Sequence, residues 1–418
     1  MKEKDKAILI EVIDSNRRGI SLDSFEEFKT LVKTLGIEIV AETMQIINKP
    51  NYAFFIGKGK LNEIKQVSKL VNPKYVFINA KLTYLQLKNI SKEIGVPCID
   101  RPHLILMIFA MRAKTREGKL QIELSELKMR LPEIVHSKSY LDQQVGSEIG
   151  LKGPGEKMTE VKRRYVEKRI KVLEKKLRVI ALQRALRRKR RRKSNIPVIA
   201  IVGYTNSGKS TLLNQLTRSN AYTENMLFST LDTLVREGNI DDETKVLFVD
   251  TIGFIRDLPP TLIYAFHSTL EEILDAWIII HVVDISVPDF RKKIDSVLIT
   301  LNKLKAADIP RVLVFNKIDK ISYEELLRYK RLFKEAIFIS ALNGKGLDEL
   351  KEKLRKELSL LFVRRTLLIP YTKPKVLAMA YRETKIIERR NKEKGIYLSI
   401  EGFKGNVEKF KHYFTTKP

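Results

Sequence analysis

Residues 196–211 read IPVIAIVGYTNSGKST. The apolar run from Val198 to Val202 has the continuous Val/Ile character of a strand buried on both faces. It stops at Gly203, turns through Tyr204, Thr205, Asn206 and Ser207, and restarts as a helix at Gly208, Lys209, Ser210 and Thr211. This is the pattern G-x-x-x-x-G-K-S in a strand–loop–helix setting, where backbone N–H groups close around a phosphate chain and a helix points its positive end at the anion. There Lys209 reaches the β- and γ-phosphates and the Ser210 hydroxyl sits on Mg2+. The stretch predicts an α/β fold with a nucleoside phosphate at the strand ends.

Downstream segments extend that reading. An irregular excursion over residues 221–236 contains Phe228, Ser229, Thr230, Leu231 and Asp232, where a threonine hydroxyl can sit on Mg2+ and its backbone near the γ-phosphate. A strand over 246–249 runs into Asp250, Thr251, Ile252 and Gly253. Asp at the end of a buried strand can hold the metal through water, and the glycine N–H can sense the γ-phosphate. Taken alone, D-T-I-G also fits an ordinary strand-end turn. Residues 277–284 (WIIIHVVD) read as another buried strand, and 311–315 as one delivering Asn316, Lys317, Ile318 and Asp319. An Asp there accepts two bonds from the N1–H and amine of guanine, which adenine cannot offer. Ile337 to Ile339 then feeds Ser340, Ala341 and Leu342, which can close over the base edge. Four such pieces in order imply a guanine-nucleotide hydrolase domain over 196–360, with Lys209, Thr230 and Gly253 as its catalytic groups. Phe254 stands where many signalling GTPases carry a water-orienting glutamine, and a phenyl ring cannot make those bonds. Slow unaided hydrolysis is the expectation.

Residues 1–110 alternate strand-like and helix-like runs, an N-terminal α/β domain with a small parallel or mixed sheet. Gly57-Lys58-Gly59-Lys60 precedes a helix and fits either an anion site or a plain helix start. Residues 111–195 read as a long antiparallel helical hairpin with a Gly-rich loop and a basic linker. Leu104 through Leu131 form its first helix, stopped near Pro132. Residues 156–192 form the second, with Val161, Tyr165, Val172, Leu177, Ile180 and Leu182 on one side. That helix ends in an unbroken basic run from Arg187 to Lys193, which reads as a solvated face or as an RNA-phosphate contact. Residues 361–418 suggest a small C-terminal α+β domain.

The 418 residues include 79 Lys plus Arg against 50 Asp plus Glu, a formal charge of +29. So large an excess favours a polyanionic partner, nucleic acid first and an acidic membrane surface second. The single cysteine, Cys98, excludes an internal disulfide or a thiolate metal site and fits a reducing compartment. The first twenty residues lack a signal-peptide core, and no run approaches about eighteen apolar residues. A cytoplasmic monomer is expected.

With these residues in view, the chain resembles the HflX family of translational GTPases. Phe228 to Asp232 (F-S-T-L-D) is similar to the family's F-A-T-L-D, with Ser229 in place of Ala and Thr233 where the family has proline. Gly153-Pro154-Gly155-Glu156, ahead of a basic helix, is similar to its G-P-G-E element, although residues 144–149 are poorer in glycine than is usual there. Ile56 to Lys60 (I-G-K-G-K) resembles its early glycine-lysine turn, and Leu127 to Pro132 (L-K-M-R-L-P) its L-K-x-x-L-P helix end. The resemblance implies a GTPase that binds the large ribosomal subunit, its amino-terminal and helical domains reaching ribosomal RNA. It also implies a role in splitting or rescuing stalled ribosomes, or in subunit biogenesis. Ser210 and Thr230 would then be Mg2+ ligands, with Gly203 to Ser210 around the phosphates and Asp250 to Gly253 sensing the γ-phosphate. Asn316, Asp319 and Ser340 to Leu342 would hold guanine. The alternatives from other classes are an RNA-binding or RNA-remodelling protein whose nucleotide site only regulates affinity, and a GTPase weakly associated with an acidic membrane surface.

Overall fold

The computed structural model describes residues 5–15, 21–144, 154–193, 196–217, 234–241, 244–251, 253–256 and 271–415. These form two compact units, one holding the described residues up to Val179 and the other those from Ile180 onward.

In the first unit, strands β1 (Lys6–Asp14), β2 (Glu38–Ile47), β3 (Tyr75–Ile78) and β4 (Cys98–Asp100) pair in the order β2-β1-β3-β4, every pair parallel. Helices α1 (Ser21–Thr34), α2 (Lys58–Val71) and α3 (Tyr84–Ile94) are the crossovers, and α4 (Arg101–Arg112) follows β4 directly. Successive residues of β1 explain the two-sided cover. Ile8 and Ile10 pack on one face with Leu61, Ile64 and Ile90, while Ala7 and Leu9 are equally buried on the other. Thr83 and Gln86 close a capping box at the start of α3. The Gly57–Lys60 turn is a helix start: the Gly57 N–H donates to Gln45 Oε1 (3.2 Å), so the side chain, not an anion, takes that donor.

Helices α5 (Arg116–Gln144) and α6 (Pro154–Lys193) complete the helical region. Two expectations are corrected here. The run from Leu104 to Leu131 is two helices, because Ala113 turns extended and the Thr115 hydroxyl accepts the Gly118 N–H (3.0 Å) to start α5 afresh. Pro132 lies inside α5 and does not end it. The packed seam also differs. Leu124 meets Val166, Ile170 and Leu173, with Leu177 alongside, whereas Val161, Tyr165, Val172 and Leu182 are exposed. The helix carries apolar residues in two registers, and only the one at 166, 170, 173 and 177 faces α5.

In the second unit, β5 (Val198–Gly203), β6 (Leu234–Asn239), β7 (Lys245–Asp250), β8 (Ile278–Asp284), β9 (Arg311–Asn316) and β10 (Ile337–Phe338) form one sheet in the order β10-β9-β8-β5-β7-β6. Only the β6–β7 pair is antiparallel. Residues 234–236, expected as irregular, are therefore the start of an edge strand, recruited by backbone pairing with β7 that no local periodicity announces. Helices α7 (Lys209–Thr217), α8 (Phe290–Lys303), α9 (Tyr323–Leu332) and α10 (Leu347–Leu361) cover the sheet. A smaller antiparallel sheet follows, β11 (Phe362–Ile369), β13 (Gly395–Phe403) and β12 (Lys385–Lys392) in that order, packed on α11 (Pro374–Glu383). Trp277 stacks on Phe403 (4.4 Å between ring centres) and touches Phe362 (5.4 Å), fixing the small sheet to the large one.

Candidate active site

All six residues of β5 are buried, which delivers the loop at 203–208 to the carboxyl ends of the parallel strands. Gly208 has φ +91°, and a Cβ there would stand 2.2 Å from Asn316 Nδ2, so only glycine lets the loop pass that side chain. Asn316, ending β9, donates from Nδ2 to Ser207 O (2.9 Å) and accepts the Ala341 N–H at Oδ1 (2.9 Å). One buried amide thus joins the loop after β5 to the loop after β10. Lys317, at φ +65°, donates to Asn206 O (2.7 Å) and pairs with Asp284 (2.7 Å). The Ser340 hydroxyl donates to Asp319 and accepts the Asn343 N–H (3.3 Å). Ile318 bonds through its N–H to Ile339 O, and Leu342 is exposed. The residues expected around a base therefore converge from two strand ends.

At the other end of the loop, Lys209 is buried and its Nζ donates to Tyr204 O (2.8 Å). Burial pushes its ammonium down to about 8; Asp250 opposes that fall and Lys317 adds to it. Ser210 Oγ donates to Asp250 Oδ2 (2.8 Å), and Asp250 is fully buried at the end of β7. The Thr251 hydroxyl is engaged with Ile201 O (2.8 Å), so it fastens β7 to β5. A Cβ on Gly253 would lie 2.9 Å from both Lys209 Nζ and Thr205 Cγ2, so this backbone passes directly beside the lysine. The hydroxyls of Thr205 and Ser207 are buried and find no hydrogen-bond partner among the described residues, which suits a cradle completed by phosphate oxygens. Thr211 lies in the first turn of α7. Phe228, Ser229, Thr230, Leu231, Asp232 and Ile252 lie outside the described residues, as does Gly153; of Pro154, Gly155 and Glu156 only the helical backbone is described.

The donor set fits Mg2+. The Ser210 hydroxyl and Asp250 carboxylate are hard oxygens in direct contact, and among the described residues no group of three or more His, Cys, Asp or Glu is placed to hold a metal. Mg2+ takes few protein ligands and fills its shell with waters and substrate phosphates.

Phe254 runs beside Tyr204: its N–H donates to Gly203 O (3.1 Å) and its carbonyl accepts the Thr205 N–H (2.8 Å). Its ring is buried with Val202, Ile273 and Val297. The side chain after Gly253 is thus a core residue.

Two residues, Asp284 and His281, escaped the sequence reading, as did the contacts that hold Tyr204. Asp284 accepts from Ser286 and holds Lys317; the acid ending WIIIHVVD was its signal. The Tyr204 phenol accepts the Arg256 N–H (2.7 Å), and the Lys293 ammonium lies over its ring at 5.4 Å. His281 sits in the middle of β8, 1% exposed, and neither ring nitrogen finds a hydrogen-bond partner among the described residues. Burial, then Arg311 and Lys209, push it down to about 3.

The chain matches four family models. Residues 22–110 match the GTP-binding GTPase N-terminal model, 112–191 the GTP-binding GTPase middle region, 198–317 the 50S ribosome-binding GTPase, and 327–402 the HflX C-terminal domain. It is 42% identical over 400 residues to GTPase HflX of Caldanaerobacter subterraneus subsp. tengcongensis, covering 96% of this chain and 91% of that protein. It is 34% identical over 368 residues to GTPase HflX of Escherichia coli (strain K12), covering 88% and 86%. Among solved structures, a GTP-binding protein from Sulfolobus solfataricus in complex with GDP is similar at 27% identity and a TM-score of 0.45, over 85% of this chain and 99% of that one.

Proposed function

The chain belongs to the HflX family of ribosome-associated GTPases, which bind GTP and GDP, and we propose that it works as a nucleotide-timed switch on the large ribosomal subunit. Backbone N–H groups of residues 203–211 hold the phosphates, helped by the amino end of α7, and Asp250 to Gly253 sense the γ-phosphate. The closeness of Gly253 to the Lys209 ammonium carries this reading, because the sensing backbone and the phosphate-binding lysine meet at one point. Asn316 to Asp319 and Ser340 to Leu342 read guanine. Ser210 and Thr230 would hold Mg2+, with Asp250 bonded to Ser210; when bound, the ion would neutralise charge on the phosphate oxygens. Lys209, Thr230 and Gly253 act by position and electrostatics, since phosphoryl transfer asks little covalent chemistry of the protein.

Phe254 offers an attacking water no hydrogen bond, so turnover is slow until the ribosomal particle reorganises the site or supplies a group. The division into residues 1–110, 111–195, 196–360 and 361–418 assigns RNA contact to the first two segments, with the basic end of α6 on phosphates. The use is splitting or rescue of ribosomes, or subunit biogenesis, by a cytoplasmic monomer; the same charge gives a weak attraction to acidic membranes. No helix among the described residues is long and apolar enough to cross one. The test is GTP turnover by the purified chain, alone and with isolated large or small subunits, at two salt concentrations. Stimulation by the large subunit alone, falling with salt, is expected. Equal stimulation by naked RNA, or none by either subunit, would overturn the proposal.

A further inference from the structure

Beside β4, the edge strand of the first unit, lies a cavity of about 550 Å3 walled by α3, α4 and α5. It opens to solvent on one side, and pockets that take small organic molecules span roughly 300–1,000 Å3. None of its lining residues belongs to the nucleotide site. The floor is apolar, with Leu106 and Met107 from α4 and Ile122 and Met129 from α5. Methionine adapts to irregular partners, and its sulfur makes favourable contacts with aromatic rings.

The polar groups on the wall favour an anion. Lys88 of α3 is exposed at the rim, and Arg130 of α5 is held by Glu126 one turn earlier (2.7 Å). His103 is built into the wall by a buried acid. Asp100, 1% exposed, accepts the Leu82 N–H at Oδ2 (3.1 Å), and at Oδ1 both the His103 N–H (3.0 Å) and its ring Nδ1 (2.6 Å). A carboxylate in that contact fixes the ring's orientation.

We propose that this cavity binds a small aromatic anion, a carboxylate or sulfonate, with its ring against Met107 and Met129 and its acid group met by Lys88 and Arg130. Cys98 lines the cavity and is the only cysteine in the chain, so thiol modification, slow because burial pushes the thiol well up, reports on this place alone. The probe is 8-anilinonaphthalene-1-sulfonate, with the uncharged N-phenyl-1-naphthylamine as comparison, added to the full-length protein. At ten times its Kd the sulfonate should slow alkylation of Cys98 about tenfold, because only the empty fraction reacts. Ala110→Trp, which fills the cavity, should abolish that protection while basal GTP hydrolysis stays unchanged. The double variant Lys88→Glu with Arg130→Glu should weaken the sulfonate at least about tenfold and leave the neutral amine as it was. Failure of the sulfonate to protect Cys98 would overturn the site, and equal binding of both probes before and after charge reversal would overturn its preference for anions.

Discussion

Replacing Asn316 by alanine removes the side chain that ties the loop after β5 to the loop after β10. Both of its bonds, to Ser207 O and from the Ala341 N–H, are buried at 2.9 Å. Their loss leaves one carbonyl and one N–H without partners, at about 1–3 kcal/mol each, or roughly 2–6 kcal/mol together. Because the two loops are the proposed phosphate and base contacts, much of that cost should appear in nucleotide binding. Even the low end corresponds to about a 30-fold rise in Kd. Titration calorimetry of the full-length protein with GDP reads this directly. Asn316→Asp separates the two bonds: it keeps an acceptor for Ala341 but sets a carboxylate oxygen against Ser207 O, so it should bind GDP no better than the alanine variant. Retention of wild-type affinity within threefold by Asn316→Ala would show that the tie does not carry the coupling.

Other perturbations test separate parts. Asp319→Ala should cut discrimination of GTP over ATP by at least about 100-fold in competition binding, because the carboxylate alone offers guanine its paired acceptors. Phe254→Gln should not accelerate GTP hydrolysis and should destabilise the second unit by about 2–4 kcal/mol, since the site is core and an amide there lacks partners; a faster enzyme would refute the placement of this ring. His281 has its pKa lowered from 6.5 to about 3 in the folded state. The stability this gives is complete above about pH 6.5 and is lost as the pH falls from there toward 3, so the urea midpoint followed by Trp277 fluorescence should drop in acid, and less so in His281→Leu. Glu11 has the opposite sign: burial raises it from 4.5 to about 7, so its contribution is complete below about 4.5 and is lost as the pH rises through 7. Hydrogen exchange of β1 should show Glu11→Gln protecting the first unit at pH 8 relative to wild type, by on the order of 2 kcal/mol at most.

Local chemistry made much of this protein legible. A β-branched run, a glycine turn and G-K-S specify a strand, a phosphate-sized loop and a helix start within sixteen neighbouring residues, because backbone conformation and the first orphan N–H groups of a helix are decided nearby. The strand ends at Asp250, Asn316 and Phe338 could be found for the same reason, as could the alternating first unit. Thr115 is a cap of a readable residue type, and Pro132 shows that a helix break inferred from one residue can be outvoted by the turns on either side.

What the sequence by itself determined is which residues could serve a guanine nucleotide. Only the tertiary structure decided how they are held: Asn316 reaches Ser207 across 109 positions, Gly208 exists to let it pass, and Asp284 anchors Lys317. The seam of α6, the edge strand β6 and the isolation of His281 were settled in the same way. Periodicity announces that a face is apolar, but which of two apolar faces is covered, and which buried polar atom goes without a partner, depends on segments far away in the chain that close packing brings into contact.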